Sequence, residues 1–324
     1  MMYPRTFIIG SPRSGTTWVA KLFDANPWVL YRHEPDSAIP ETRIPSIINQ
    51  ADYDQYMEAA GAYVDRLFSV STVKTNAGKV SFPKAFRNGI GEFVHRGWFL
   101  AARGIEQFSA TRQFARRIHI PDMINTTDAG RIHQVCKSVI AGGRAGLYAR
   151  ARPDVRFVMV MRHPAGVVGS ELRGKSLGKM PGNVPIGALA TMPGAQQRGL
   201  TLEFFESADQ VERLSWWWVL FNEKMIADTE GLENCLLVNY DEMCADPAAA
   251  LRKMYAHAQI EVSEEVEAFL QKSTSESAGD GSYFDLFRDP LKAANRWRSE
   301  LTDEQVARIQ AITADTAPGS QFQF

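Results

Sequence analysis

Arg13 lies inside the turn Gly10-Ser11-Pro12-Arg13-Ser14-Gly15-Thr16-Thr17-Trp18, directly after the apolar run Phe7-Ile8-Ile9. A short buried strand, a glycine-bearing turn and the first turn of a helix gather backbone N–H groups around an anion. The spacing is that of a phosphate-binding loop, but Thr16 stands where a nucleoside-triphosphate loop has its lysine. The cradle is kept and its charge comes from Arg13, which disfavours ATP or GTP as the ligand. The N–H groups of residues 14–17, the hydroxyls of Thr16 and Thr17 and the Arg13 guanidinium suit a charged leaving group. A second cationic site follows the apolar run Phe157–Met161, where Arg162-His163-Pro164 precedes Ser170 by eight residues counted from the arginine. A guanidinium fork with a nearby hydroxyl matches phosphate oxygens. A third group sits at the end of Val29-Leu30-Tyr31, where His33 and Glu34 supply an imidazole and a carboxylate for proton removal.

The first two motifs, in this order, resemble the 5'-phosphosulfate loop and the 3'-phosphate site of sulfotransferases that use 3'-phosphoadenosine 5'-phosphosulfate (PAPS). The resemblance implies a P-loop NTPase-like α/β fold, a parallel sheet flanked by helices with a helical insert. It implies PAPS as donor, 3',5'-ADP as product and no metal. By the same resemblance Arg13, Ser14, Gly15, Thr16 and Thr17 hold the phosphosulfate, and Arg162 and Ser170 hold the 3'-phosphate. Trp18 and Tyr240, in Val238-Asn239-Tyr240-Asp241-Glu242, lie near the adenine, and Arg296 or Arg298 closes over the nucleotide. Arg13 is the first candidate to stabilise the leaving oxygen and Lys137 the second. Lys137, in Cys136-Lys137-Ser138, is similar to a lysine of the cytosolic aryl and steroid branch. That branch has a histidine base two residues later, where this chain has Val139, and an Arg-Lys-Gly segment that is absent here. Several other branches place a glutamate base after the second strand, which implies Glu34, with His33 as the adjacent alternative. Burial is expected to raise the Glu34 pKa. Consecutive residues near a strand end face opposite ways, so one of the two is expected to face the donor. The implied reaction moves a sulfuryl group to a hydroxyl or amine of a small-molecule, sugar or lipid acceptor. A small-molecule P-loop kinase is the alternative enzyme, against which Thr16 counts. A non-catalytic nucleotide-binding module is the other, against which Arg13 and an available base count.

The elements that must position these groups read as alternating apolar strands and helices, the pattern of a parallel sheet. A helix is expected from about 14 to 26, a strand at 29–31, a third strand near 132–137, a helix near 143–151 and a strand at 156–161. Residues 36–130 break the alternation and read as a helical, acceptor-side insert with helices near 51–69 and 92–117. Residues 174–199, rich in Gly, Met and Pro, read as a mobile substrate-gating loop. A long helix is expected over 207–230, carrying Trp216-Trp217-Trp218 and closed by Gly231, then a strand at 236–240. Asp246-Pro247 starts the following helix, and Thr302 with Gln305 forms a capping box for the last. The whole of 1–324 is expected to be one domain.

Composition narrows the partners. The chain has 324 residues, 45% of them hydrophobic, and a net charge of −1, so a core can be buried and no bulk attraction to nucleic acid follows. Cys136, Cys235 and Cys244 form no C-x-x-C pair, which fits a reduced, cytoplasmic compartment. His133-x-x-Cys136 alone does not make a metal site. No signal-like or membrane-spanning apolar run is seen in the sequence. Segment 71–120 holds nine Lys or Arg against Glu92 and Glu106, which reads either as a solvated insert or as a lid that favours anionic acceptors.

Overall fold

Strand β1 (Arg5–Gly10) is buried along its whole length. A strand covered on both faces needs apolar residues in succession rather than in alternation, and Phe7-Ile8-Ile9 supplies them. The computed structural model describes residues 3–76, 81–106, 118–179, 184–275 and 289–324. Strands β2 (Val29–His33), β3 (His133–Ser138), β4 (Val155–Met161) and β5 (Cys235–Asn239) complete one sheet. Its order is β2-β3-β1-β4-β5 and every pairing is parallel. This is the P-loop-like α/β fold that the sequence leads one to expect. Because β1 lies between β3 and β4, the turn after Gly10 opens at the topological switch of the sheet, the crevice where open α/β sheets bind ligands.

The two faces of β1 feed two cores. Ile8 packs with Val19, Phe23 and Tyr255, whereas Phe7 and Ile9 pack with Tyr63, Leu67, Tyr148 and Met225. Helix α1 (Thr16–Asp24) contributes Val19, Leu22 and Phe23, all fully buried. It is shorter than the expected 14–26 because Gly15, at φ 92°, is its N-cap. Helix α2 (Tyr53–Ser69) buries Tyr63, Val64, Leu67 and Phe68, so this part of the 36–130 segment belongs to the main core. Helix α3 (Gly89–Glu106) corresponds to the expected helix near 92–117; positions 107–117 lie outside the described residues.

Three further boundaries depart from the sequence reading. Residues 174–199, expected to be a loop, include the end of helix Pro164–Ser176 and the short helices Ile186–Ala190 and Pro193–Gln197. Leu189, Met192 and Ala195 are buried there against Leu200, Phe205 and Leu220. Helices of one turn are too short to show a period of about 3.6 residues. Tyr240, expected at the end of a strand, instead begins helix Tyr240–Ala245, because the Asn239 side chain accepts the N–H groups of Asp241 and Glu242. The long helix runs over Gln210–Thr229, capped by Asp209, with Ser207 ending a separate short helix. Asp246 caps Pro247–Ala258, and the Thr302/Gln305 capping box is formed in full. No helix among the described residues is long and apolar enough to cross a membrane.

Candidate active site

The anion loop is shaped by two residues in the left-handed region, Arg13 at φ 68° and Gly15 at φ 92°. Glycine takes this conformation freely, while an arginine there costs about 1–2 kcal/mol. Such strain is held only where the surroundings fix it. Here Tyr240 lies so close over Gly15 that a Cβ would overlap its ring. The Ser14 N–H and hydroxyl both return to the Ser11 carbonyl, at 3.2 and 2.7 Å. Ser14 therefore closes the turn. An α-helix leaves its first N–H groups without intrahelical acceptors, which puts those of Gly15, Thr16 and Thr17 at the mouth of the loop beside the positive end of α1.

The second phosphate motif, about 150 residues away in sequence, meets the loop directly. Arg13 donates from Nε to Ser170 Oγ at 2.8 Å. Arg162 donates from Nη1 to the Arg13 carbonyl at 3.2 Å and from Nη2 to the Ala293 carbonyl at 2.7 Å. Its guanidinium lies 5.2 Å from the centre of the Tyr240 ring, and its Nε is buried with no partner. Trp218, one of the triplet, is fully buried and donates its indole N–H to the Arg162 carbonyl at 3.0 Å. Asp241 accepts the His163 N–H at 2.8 Å. His163 itself caps helix Pro164–Ser176 by accepting from the Ala165 N–H, so it serves structure. Trp218 and Asp241 were missed as positioning residues, since nothing in their local sequence says which strand end they would reach.

Trp18 donates its indole N–H to Ser273 Oγ at 3.0 Å and meets Tyr240 edge-on at 6.1 Å. Both rings are nearly buried, at 7% and 8% exposure, and the Tyr240 ring packs on Gly15 of the loop. Arg296 sits at the joint between helices Pro290–Asn295 and Trp297–Glu300, the first of which supplies the Ala293 carbonyl to Arg162. Arg298 is exposed and stacks on Trp297, 4.3 Å from the ring centre.

The third group of the site forms where β2 ends beside β3. Lys137 is 1% exposed and its Nζ lies 2.7 Å from Glu34 Oε1. The Glu34 N–H donates to the Lys137 carbonyl at 2.8 Å. Two expectations are corrected here. Glu34 does not face away from His33: its φ of 45° breaks the strand alternation and brings Oε1 to 3.9 Å from His33 Nε2. Nor is the Glu34 pKa raised. Burial is the largest influence and pushes it up, but the charge and hydrogen bond of Lys137, with His33 and Lys74, together outweigh it and hold the carboxyl below its ordinary value. Burial, aided by Lys137, pulls His33 down to about 4, leaving a neutral imidazole at pH 7 whose Nδ1 lies 2.9 Å from the Tyr31 hydroxyl. Burial also lowers the Lys137 pKa, against the pull of Glu34.

Two buried carboxyls that the sequence reading passed over border this group. Asp36, at 4% exposure, accepts from the Ser138 hydroxyl and has its other oxygen buried without a partner. Burial, with a contribution from Glu34, raises its pKa to about 6. Glu171, next to Ser170, also has a buried unpartnered oxygen; burial raises its pKa while Arg13 lowers it. Among the described residues, no three His, Cys, Asp or Glu side chains are grouped to hold a metal ion.

Comparison with known proteins gives a consistent set of likenesses. The sequence profile described as "Sulfotransferase family" matches residues 4–179. Carbohydrate sulfotransferase 2 from Mus musculus and from Homo sapiens is 34% identical over 76 residues, 23% of this chain. That match spans 14% of the length of those relatives. Among solved structures, the sulfotransferase domain from the Synechococcus PCC 7002 olefin synthase is 16% identical, covers 97% of this chain and 96% of its own, and has a TM-score of 0.47. Mouse sulfotransferase SULT7A1, complexed with PAP, is 12% identical over 99% of this chain and 87% of its own, at a TM-score of 0.43.

Proposed function

The chain belongs to the sulfotransferase family, and on that premise we propose that it transfers a sulfuryl group from PAPS to a hydroxyl or amine of a small-molecule, sugar or lipid acceptor, releasing 3',5'-ADP. The observation that carries the reading is the hydrogen bond from Arg13 to Ser170, with Arg162 reaching back to the Arg13 carbonyl. It joins two phosphate sites, and PAPS has two phosphates on one ribose to be read. The residues fit such a donor. The unpartnered Nε of Arg162 is a buried donor awaiting an acceptor.

PAPS supplies an activated sulfuryl group on its 5'-phosphate. Arg162 and Ser170 hold the 3'-phosphate, and Trp18 and Tyr240 border the adenine, with Arg296 or Arg298 closing over it. The N–H groups of Gly15, Thr16 and Thr17, the threonine hydroxyls and Arg13 take the charge that grows on the leaving phosphate oxygen. Lys137 is the second cation for that oxygen. Glu34 takes the proton of the acceptor as the acceptor O–S or N–S bond forms and the S–O bond to the 5'-phosphate breaks. In the ion pair with Lys137 the Glu34 carboxylate is a weak base. Drawing the ammonium of Lys137 towards the leaving oxygen removes the partner that holds its pKa down, so the base strengthens as the donor is engaged. His33, neutral and adjacent, is the alternative acceptor of that proton. The electrostatics of Arg13, Arg162 and Lys137 suit an anionic donor without a metal.

Calorimetric titration with 3',5'-ADP, against ADP and against ATP with Mg²⁺, tests the donor. Metal-independent binding that needs the 3'-phosphate and is lost in Arg162→Ala is expected. Preference for ATP with Mg²⁺ would overturn the reading in favour of a small-molecule kinase.

A further inference from the structure

Tyr31 and His33 are alternate residues of β2 and share one face of the strand. The Tyr31 hydroxyl lies 2.9 Å from His33 Nδ1, and the two rings meet edge-on at 6.1 Å. The Tyr31 ring also meets α1, the helix that follows the anion loop. Lys21 Nζ, paired with Asp24 at 2.6 Å, lies 5.1 Å from the ring centre. Tyr31 is nearly buried, and burial raises its pKa, so the phenol keeps its proton. Beyond the imidazole, Glu34 Oε1 lies 3.9 Å from His33 Nε2. The His33 N–H donates to the Thr75 carbonyl at 2.8 Å, which brings the turn after α2 beside the ring. Burial and the cations Lys137 on β3, Lys21 on α1 and Lys74 in that turn outweigh Glu34 and keep the imidazole neutral at pH 7.

A neutral imidazole carries one N–H, and the bond made by one ring nitrogen decides which holds it. Among the described residues the Tyr31 hydroxyl has His33 as its one hydrogen-bond partner. With the proton on Nδ1, the imidazole would donate to the phenol oxygen. The phenol proton would then lack an acceptor, and the bare Nε2 lone pair would face the Glu34 carboxylate. A nearly buried donor left unmatched and two acceptors set face to face both cost free energy. With the proton on Nε2, the phenol donates to Nδ1 and the N–H dipole faces the carboxylate. We propose that Tyr31 is a positioning residue of the sulfuryl transfer: its O–H, donated to Nδ1, holds His33 as the Nε2–H tautomer, so that His33 presents a donor to Glu34 and leaves Glu34 as the base. This role rests on the reaction proposed above. As Lys137 is drawn to the leaving oxygen, the Nε2–H steadies Oε1 in its place. Oε2, which has no hydrogen-bond partner among the described residues, takes the acceptor's proton as the acceptor O–S or N–S bond forms and the S–O bond to the 5'-phosphate breaks.

Proton–nitrogen NMR correlation of the full chain with isotope-labelled histidine tells a protonated ring nitrogen from a bare one, and the signals lost in His33→Gln identify the ring. In the wild type at pH 7, Nε2 protonated and Nδ1 bare are expected. Tyr31→Phe removes only the donor, so Nδ1 should become protonated in part. Release of 3',5'-ADP from PAPS, with water as the acceptor, should slow in that variant by about tenfold, with the KM for PAPS within about threefold of the wild type. A wild-type ring protonated at Nδ1 overturns the proposal. So does a folded Tyr31→Phe protein in which either the ring or the turnover stays that of the wild type. The wild-type spectrum decides the tautomer even if Tyr31→Phe does not fold. If the wild type releases no 3',5'-ADP from PAPS, the sulfuryl-transfer reading fails, and the spectra still decide whether Tyr31 sets the tautomer.

Discussion

Glu34 sits in the left-handed region at φ 45°, and its Oε1 meets Lys137 Nζ at 2.7 Å and His33 Nε2 at 3.9 Å. Glu34→Gln keeps the size and loses the proton acceptor, so turnover should fall by about 10²- to 10⁴-fold while 3',5'-ADP affinity stays within about threefold of the wild type. Unchanged turnover would pass the role to His33. Two residues on, Asp36 makes a separate prediction about pH. Its folded pKa of about 6 stands above the ordinary 3.8, so the folded chain keeps a proton that the unfolded chain releases. The stability linked to this proton is complete below pH of about 4 and is lost as pH rises through about 6. Asp36→Asn has no such loss. Relative to the wild type, it should therefore gain about 2–3 kcal/mol on going from pH 4 to pH 7. Urea midpoints at the two pH values measure this, and an equal difference at both would mean that folding leaves the Asp36 pKa unchanged.

At the scale of elements, the loop between β1 and α1 works because Gly15 accepts both a left-handed backbone and the ring of Tyr240. Gly15→Ala should cost about 3 kcal/mol, part from backbone and part from overlap with the ring. Only the second part is shared with Tyr240. Adding Tyr240→Ala should therefore give a double variant more stable than the sum of the singles by about 1–2 kcal/mol, read from a denaturation cycle. Strict additivity would show that the ring moves aside at no cost. The loop, β1, β4 and the Arg162–Ser170 spacing were legible in the sequence because each is a local signal: an apolar run, a glycine turn, a residue type at a fixed offset. What escaped was set by tertiary structure. The left-handed Glu34 has no local signature, since a glutamate rarely takes that backbone, and it turned an expected either–or into a cluster. The support of Arg162 by Trp218 and Asp241 depends on β5 and the long helix arriving beside β4. The ion pair that lowers the Glu34 pKa depends on β2 pairing with β3. The short helices within 174–199 have too few residues for a pattern to repeat.

The molecule as a whole brings the far end of the chain back to this site. The His163 ring is stacked on Trp297 at 4.7 Å and lies 5.6 Å and 4.6 Å from the rings of Phe322 and Phe324. His163 Nε2 lies 3.1 Å from the Gln323 carbonyl. Burial lowers the His163 pKa to about 4, so at pH 7 its neutral ring accepts from Ala165 at Nδ1 and donates to Gln323 at Nε2. Phe322 also meets Trp218, at 5.9 Å, the indole that holds the Arg162 carbonyl. The last residues thus brace the strand end from which Arg162 projects. Phe322→Ala with Phe324→Ala removes two half-buried rings and should cost about 2–4 kcal/mol of stability. If the tail also fixes Arg162, the same variant should bind 3',5'-ADP about three- to tenfold more weakly at a temperature where it remains fully folded, with the requirement for the 3'-phosphate reduced. Denaturation and calorimetry on one preparation separate the two effects. Lower stability with unchanged affinity would mean that Trp218 and Asp241 hold the arginine without the tail, and that the end of the chain serves only the core.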